Sequence, residues 1–171
     1  RKVHLNPIPR IGGIAMGFGA IGAAVLERYL LDPAYRRVIA VSRGPRPAEL
    51  VGLDTRLQWL TSDYSENSVA DVCGEIAQGD LTLRRVVICN GVLHNQRLAP
   101  EKSLDRVSRA ALHEVLDANV VVPALWVSAL VGHLRRSSGC VIAALSARVG
   151  SISDNRLGGW YSYRSSKAAL N

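Results

Sequence analysis

Hydrophobic and polar positions along the chain alternate between two regimes. Short apolar runs bounded by turn residues occur at 11–16 (IGGIAM), 37–42 (RVIAVS), 57–63 (LQWLTSD), 84–90 (RRVVICN) and 139–146 (GCVIAALS). Runs of this length and composition predict strands, and 84–90 reads as buried on both faces. The segments between them carry helical spacing. Ile21, Val25, Leu26 and Tyr29 share one face of a helix that Asp32-Pro33 ends. Val69, Val72, Ile76 and Ala77 mark a second helix within 65–78. A long helical stretch covers 104–135, broken near Asp117–Asn119, and a further helix starts at Tyr161. Residues 1–10, with Pro7 and Pro9 and no periodicity, predict an irregular lead-in.

Strand and helix thus alternate, which calls for a parallel sheet with helices on both faces. The predicted fold class is α/β, a Rossmann-like doubly wound parallel sheet forming one domain over 11–171. Such sheets take ligands at the carboxyl ends of their strands, where the winding direction reverses. No internal repeat or low-complexity segment interrupts the pattern.

Composition changes this picture little. The chain has 171 residues, 48% apolar and 20% charged, enough for one domain with a core. Its net charge of +7 raises nucleic acid as a partner, but the arginines come in scattered twos (Arg36-Arg37, Arg84-Arg85, Arg135-Arg136) and aromatics are only 5%. A scattered basic surface without interleaved aromatics argues against nucleic-acid binding. No uninterrupted apolar run reaches bilayer-spanning length and no signal-peptide pattern opens the chain, so no membrane partner is expected. Cys73, Cys89 and Cys140 lie far apart with no CxxC pair, and the histidines form no ligand spacing. Reduced thiols, a cytoplasmic protein and no metal are the expectations. The chain opens on Arg rather than Met, so its natural start is expected upstream.

Three segments carry candidate chemistry. Gly17-Phe18-Gly19-Ala20-Ile21-Gly22 fits G-x-G-x-x-G between a strand and a helix. Glycines there let the backbone approach a pyrophosphate, and the helix amides receive its charge. The next strand ends Val41-Ser42-Arg43, without the carboxylate that holds a ribose 2′-hydroxyl, whereas an arginine fork suits a 2′-phosphate. NADP(H) is therefore expected over NAD(H). Tyr163 and Lys167 stand four apart, on one helix face. A nearby ammonium favours phenolate, so the lysine is expected to lower the tyrosine pKa and make it a usable acid–base group.

These pieces in this order resemble the short-chain dehydrogenase/reductase superfamily. SARVGSISDNRLGGWYSYRSSKAALN (146–171) is similar to its C-factor-like subgroup, which includes the sniffer-type carbonyl reductases. The resemblance implies NAD(P)-dependent hydride transfer at a small carbonyl or alcohol. It implies Tyr163 as proton donor to the carbonyl oxygen and Lys167 as anchor of the nicotinamide ribose. Asn119 matches the relay asparagine, Asp63 the aspartate beside the adenine, and Gly91 the last glycine of the Asn-Asn-Ala-Gly motif, which here reads Ile88-Cys89-Asn90-Gly91. The cofactor is thus expected at Gly17, Gly19, Ile21, Gly22, Ser42, Arg43, Asp63, Asn90, Gly91 and Lys167.

The chain also departs from the family. In the glycine turn, Met16 and Ala20 stand where two of the glycines belong. The usual Ser-Ser pair reads Ser146-Ala147, and Ser146 or Ser151 is left to polarise the carbonyl, Ser146 being preferred. The family continues past the catalytic lysine into further strands and helices and assembles as dimers or tetramers. This chain is therefore expected to be a truncated or partial form, and a homo-oligomer when complete. Two other readings stay open: an NADP(H)-binding signalling or sensor protein without turnover, and an inactive fragment.

Overall fold

The computed structural model describes residues 20–52, 54–78, 82–137 and 139–171. Helix α1 (Ala20–Leu31) leads to strand β1 (Val38–Ser42), then β2 (Leu57–Thr61), α2 (Glu66–Gln78) and β3 (Arg85–Ile88). Helix α3 (Arg109–Leu116) follows and passes through a π-helical turn (Asp117–Val121) into α4 (Val122–Arg136). Strand β4 (Val141–Ala144) and helix α5 (Tyr161–Leu170) complete the order. Strand β1 pairs parallel with β2, from Val38 opposite Leu57 to Ser42 opposite Thr61. Strand β3 pairs parallel with β4, from Arg85 opposite Val141 to Ile88 opposite Ala144. The predicted strand at 11–16 and the glycines Gly17 and Gly19 lie outside the described residues.

Parallel neighbours need a long connection: α3 and α4 provide it between β3 and β4, and residues 43–56, carrying a 3₁₀ turn at Ala48–Leu50, provide it between β1 and β2. Two compact units result: one runs to Cys89 and resumes over Ala129–Ala144, and the other comprises Asn90–Ser128 and Leu145–Asn171.

In the first unit every residue of β1 is buried, as its unbroken apolar run requires. Leu26, Val38, Ala40, Leu50 and Leu57 form a core against which Tyr29, Leu30, Tyr35 and Trp59 pack. Arg56 ties this core to the end of α1. It pairs with Asp54 at 2.7 Å and donates to the carbonyls of Leu30, Asp32 and Tyr35. A cation at a helix C-terminus satisfies carbonyls that have no helical partner.

Several expectations shift in detail. Ile21 is 59% exposed, and Gly22 and Leu26 carry the buried face of α1 instead. In α2 the inward positions are Val69, Val72, Cys73 and Ile76, with Cys73 where Ala77 was expected. Strand β3 alternates, with Val86 and Ile88 buried and Arg85 exposed, rather than burying both faces. Every residue of β4 is exposed.

The break predicted near Asp117–Asn119 is instead the π turn. A π turn inserts a residue without ending the helix, so Arg109–Arg136 runs as one helix of 28 residues, long and apolar enough to cross a membrane by length and composition. The sequence holds no single apolar run of that length; the turn joins two shorter ones. Val115, Asn119, Val122, Trp126 and Leu130 are buried along this helix, the one-sided stripe of a core helix. Ser108 caps its start by accepting the Ala111 amide at 3.1 Å.

Candidate active site

The second unit holds the Tyr163–Lys167 pair, and its geometry is set by how the chain enters α5. Gly158, Gly159 and Trp160 adopt left-handed conformations in succession, with φ of 63°, 67° and 54°. Glycine takes this region at little cost. Trp160, at the cap position, offers no side-chain hydrogen bond to the helix. The buried carboxylate of Glu101 does so in its place, accepting the Ser162 amide at 3.3 Å and the Ser162 hydroxyl. The Glu101 carbonyl also accepts the Trp160 amide. An anion at a helix N-terminus is favourable for the amides and for the dipole.

One turn on, Lys167 is buried, and its Nζ donates to the Leu145 carbonyl at 2.7 Å. The same Nζ stands 5.8 Å from the Tyr163 ring centroid. Burial lowers the Lys167 pKa and raises that of Tyr163. The expectation that the lysine pulls the phenol down is thus reversed in the structure. Desolvation disfavours both charged forms, and the ammonium is committed to a carbonyl rather than to the phenol oxygen.

Asn119 sits fully buried on the π turn, an element that recurs at functional sites. Its Oδ1 accepts the Val92 amide at 2.7 Å. Its Nδ2 donates to the Val92 carbonyl at 3.0 Å and to Ser166 Oγ at 2.8 Å. Ser166 in turn donates to the Tyr163 carbonyl at 2.8 Å. Asn119 therefore links the segment after Gly91 to α5. A Cβ on Gly91 would lie 3.0 Å from Asn119 Oδ1 and 3.4 Å from Lys167 Nζ. Asn90 donates to the Ala118 carbonyl at 2.6 Å, while its buried Oδ1 has no hydrogen-bond partner among the described residues.

The serine candidates are engaged elsewhere. Ser146 Oγ donates to Asn171 Oδ1 at 2.6 Å and approaches the Lys167 carbonyl at 3.5 Å, so it serves the far end of α5. Ser151 Oγ accepts the Asp154 amide at 3.2 Å. Gly150 is fixed by close approach: a Cβ there would meet the Lys167 carbonyl carbon at 2.7 Å.

The other candidates belong to the first unit. Gly22 is buried in α1 and Ile21 is exposed. Ser42 ends β1 buried, its Oγ accepting the Gly44 amide at 3.0 Å. Arg43 is exposed, with its guanidinium 4.9 Å from the centroid of the Tyr64 ring. Asp63 accepts the Ser65 amide at 2.8 Å, and hydrogen bonding from the Ser65 hydroxyl and then its amide holds the carboxyl below the usual range.

Sequence reasoning missed Glu101 and Ser166. Ser166 lies inside the Tyr-to-Lys segment, where helical spacing could have marked it as facing inward. Glu101 had no local signal, because its partner lies 61 residues away.

No protein-family model matches the sequence, and no curated protein matches it. Solved structures do. The carbonyl reductase Sniffer of D. melanogaster superposes with a TM-score of 0.80 at 21% identity, over 94% of this chain and 71% of that one. A carbonyl reductase from Pseudomonas aeruginosa PAO1 in complex with NADP gives 0.70 at 25% identity, over 94% and 66%. A short chain dehydrogenase family protein from Francisella tularensis gives 0.69 at 19%, over 94% and 57%. The chain resembles the short-chain dehydrogenases and sniffer-type carbonyl reductases, and it has their Rossmann-like α/β fold over a shorter length.

Proposed function

We propose that this chain is an oxidoreductase that moves a hydride between NADP(H) and the carbonyl or alcohol carbon of a small molecule. The observation that carries the reading is the convergence of Gly91, Asn119 and Lys167, within 3.0 and 3.4 Å of the Cβ that Gly91 lacks, one helical turn from Tyr163. The missing Cβ lets the Asn119 amide and the Lys167 ammonium pack directly against the Gly91 backbone. The unpartnered Asn90 Oδ1 beside it is an acceptor suited to a ligand donor. These residues fit a dinucleotide. The NADP-bound state of the P. aeruginosa neighbour and the missing carboxylate at the end of β1 favour NADP(H) over NAD(H).

When bound, the nicotinamide supplies or takes the hydride. Tyr163 gives its hydroxyl proton to the carbonyl oxygen during reduction and takes it back during oxidation. The phenol is protonated at neutral pH, the form a proton donor needs. Lys167, locked by the Leu145 carbonyl, offers a fixed ammonium to the ribose hydroxyls. Asn119 braces Val92 and Ser166 so that Tyr163 and Lys167 keep their spacing.

A second reading, cofactor binding without turnover, is favoured by one observation. Ser146 is turned to the end of α5, and Ala147 stands where a second serine would. Loss of one oxyanion donor costs about 3–4 kcal/mol of transition-state stabilisation. NADPH fluorescence titration combined with NADPH oxidation over a panel of aldehydes and ketones separates the two. Turnover supports the oxidoreductase, and saturable binding with no turnover on any carbonyl supports the sensor.

A further inference from the structure

Three side chains follow one another along α5: Trp160 at its N-cap, then Tyr163 and Lys167. Their exposure falls in that order. Trp160 is 40% exposed, Tyr163 is half-buried and Lys167 is buried. The ammonium end of the pair is therefore closed and the indole end accessible. The Trp160 ring meets the Tyr163 ring edge-on, with centroids 6.4 Å apart and planes at 75°, a favourable geometry for an aromatic pair.

The backbone holds the indole there against local preference. Among the described residues, only Tyr64 and Trp160 combine a positive φ with a side chain. A bulky residue in that region is an outlier, kept only where its surroundings over-determine it. Here they do. The Glu101 carbonyl accepts the Trp160 amide, and the Trp160 carbonyl accepts the Arg164 amide at 2.8 Å. Gly159 packs so closely that a Cβ would lie 3.3 Å from the same Glu101 carbonyl. Glycine would make this turn with less strain, as Gly158 and Gly159 do just before it, so the turn does not call for an indole. Nor does the helix cap, to which the side chain gives no hydrogen bond.

We propose that Trp160 is a specificity residue for the reaction at Tyr163. Its indole takes an aryl group carried by the carbonyl substrate, so that aryl carbonyls are favoured over alkyl ones. A substrate whose carbonyl oxygen meets the Tyr163 hydroxyl holds its substituents beside that phenol, where the indole packs. An aryl ring can pair with the indole edge-to-face or offset, and an alkyl group cannot. This specificity rests on the carbonyl chemistry proposed above for Tyr163.

The test compares NADPH-dependent reduction of benzaldehyde and cyclohexanecarbaldehyde by the full chain. The ratio of the two kcat/KM values is taken within each protein, so that the folded fraction cancels. The wild-type ratio is expected to fall about two- to tenfold in Trp160→Leu, the scale of one aromatic pair. The fall is expected through a higher KM for benzaldehyde, and Trp160→Phe is expected to keep the wild-type ratio. An unchanged ratio in Trp160→Leu overturns the assignment, as does an equal fall in Trp160→Phe. If neither aldehyde is turned over, the carbonyl chemistry at Tyr163 fails, and binding decides the ring contact by itself. Ligand-observed NMR with benzamide and cyclohexanecarboxamide, in the presence of NADPH, then gives the answer. A preference for benzamide that Trp160→Leu removes supports the contact, and equal or absent binding of the two amides overturns it.

Discussion

The carboxylate of Glu101 holds both the amide and the hydroxyl of Ser162, the residue immediately before Tyr163. A loop anion thereby fixes the first turn of the helix that carries Tyr163 and Lys167. Because Glu101 is buried, removing it leaves the Ser162 groups without a partner and without water.

Glu101→Ala is expected to destabilise the protein by about 1–3 kcal/mol, the cost of stranding buried polar groups. Glu101→Gln, which keeps an acceptor in place, is expected to lose less. Urea unfolding of the three proteins checks the order. Equal midpoints would remove Glu101 as the anchor of α5.

Gly150 tests the packing on the other side of this helix. A methyl group there would collide with the Lys167 backbone at 2.7–2.9 Å, and backbone cannot swing aside as a side-chain tip can. Gly150→Ala is expected to cost about 1–3 kcal/mol by overpacking, and to weaken NADPH binding by moving Lys167. Thermal melting and fluorescence titration report the two effects separately.

Much of this architecture was legible because local pattern and tertiary role agreed. Val38–Ser42 is a strand because its apolar run is buried throughout, and Arg85–Ile88 is one that buries Val86 and Ile88 at alternate positions. Tyr163 and Lys167 share a helix face by spacing alone. The misreadings have a common cause in distant partners. Ser146 looked available for chemistry until Asn171 claimed its hydroxyl from the far end of α5. The polar Asp117–Asn119 step looked like a break, but Asn119 is satisfied by Val92 and Ser166 and the helix runs on. The phenol shift followed burial, which no spacing rule reports.

Tyr64 predicts an alkaline limb in stability. Burial pushes its phenol up to about 12, above the unfolded value of 10.0. Between these values the native state holds the proton that the unfolded state has lost, so stability falls as pH rises from about 10 to about 12. The contribution, full below pH 10, amounts to about 2–3 kcal/mol. Tyr64→Phe is expected to flatten this limb in denaturant titrations at successive pH values. An unchanged limb would point to other groups.

Arg43 separates the two nicotinamide cofactors. If it meets a 2′-phosphate, Arg43→Ala is expected to weaken NADPH binding about tenfold or more and leave NADH binding nearly unchanged. Its exposed stacking on Tyr64 contributes about 0.5–1 kcal/mol and gives no preference between the cofactors. Parallel titrations with both nucleotides decide it, and equal losses would contradict the phosphate role.

Proton transfer by the Tyr163 phenol, as proposed, hinges on one hydroxyl, and removing it is the sharpest comparison. NADPH oxidation is followed with a turned-over aldehyde or ketone for the wild type and Tyr163→Phe, which keeps the ring and removes only the hydroxyl. A fall in kcat/KM of about 10²–10⁴-fold is expected, the usual contribution of a positioned acid–base group, with NADPH affinity essentially unchanged. Equal rates in the two proteins would contradict it.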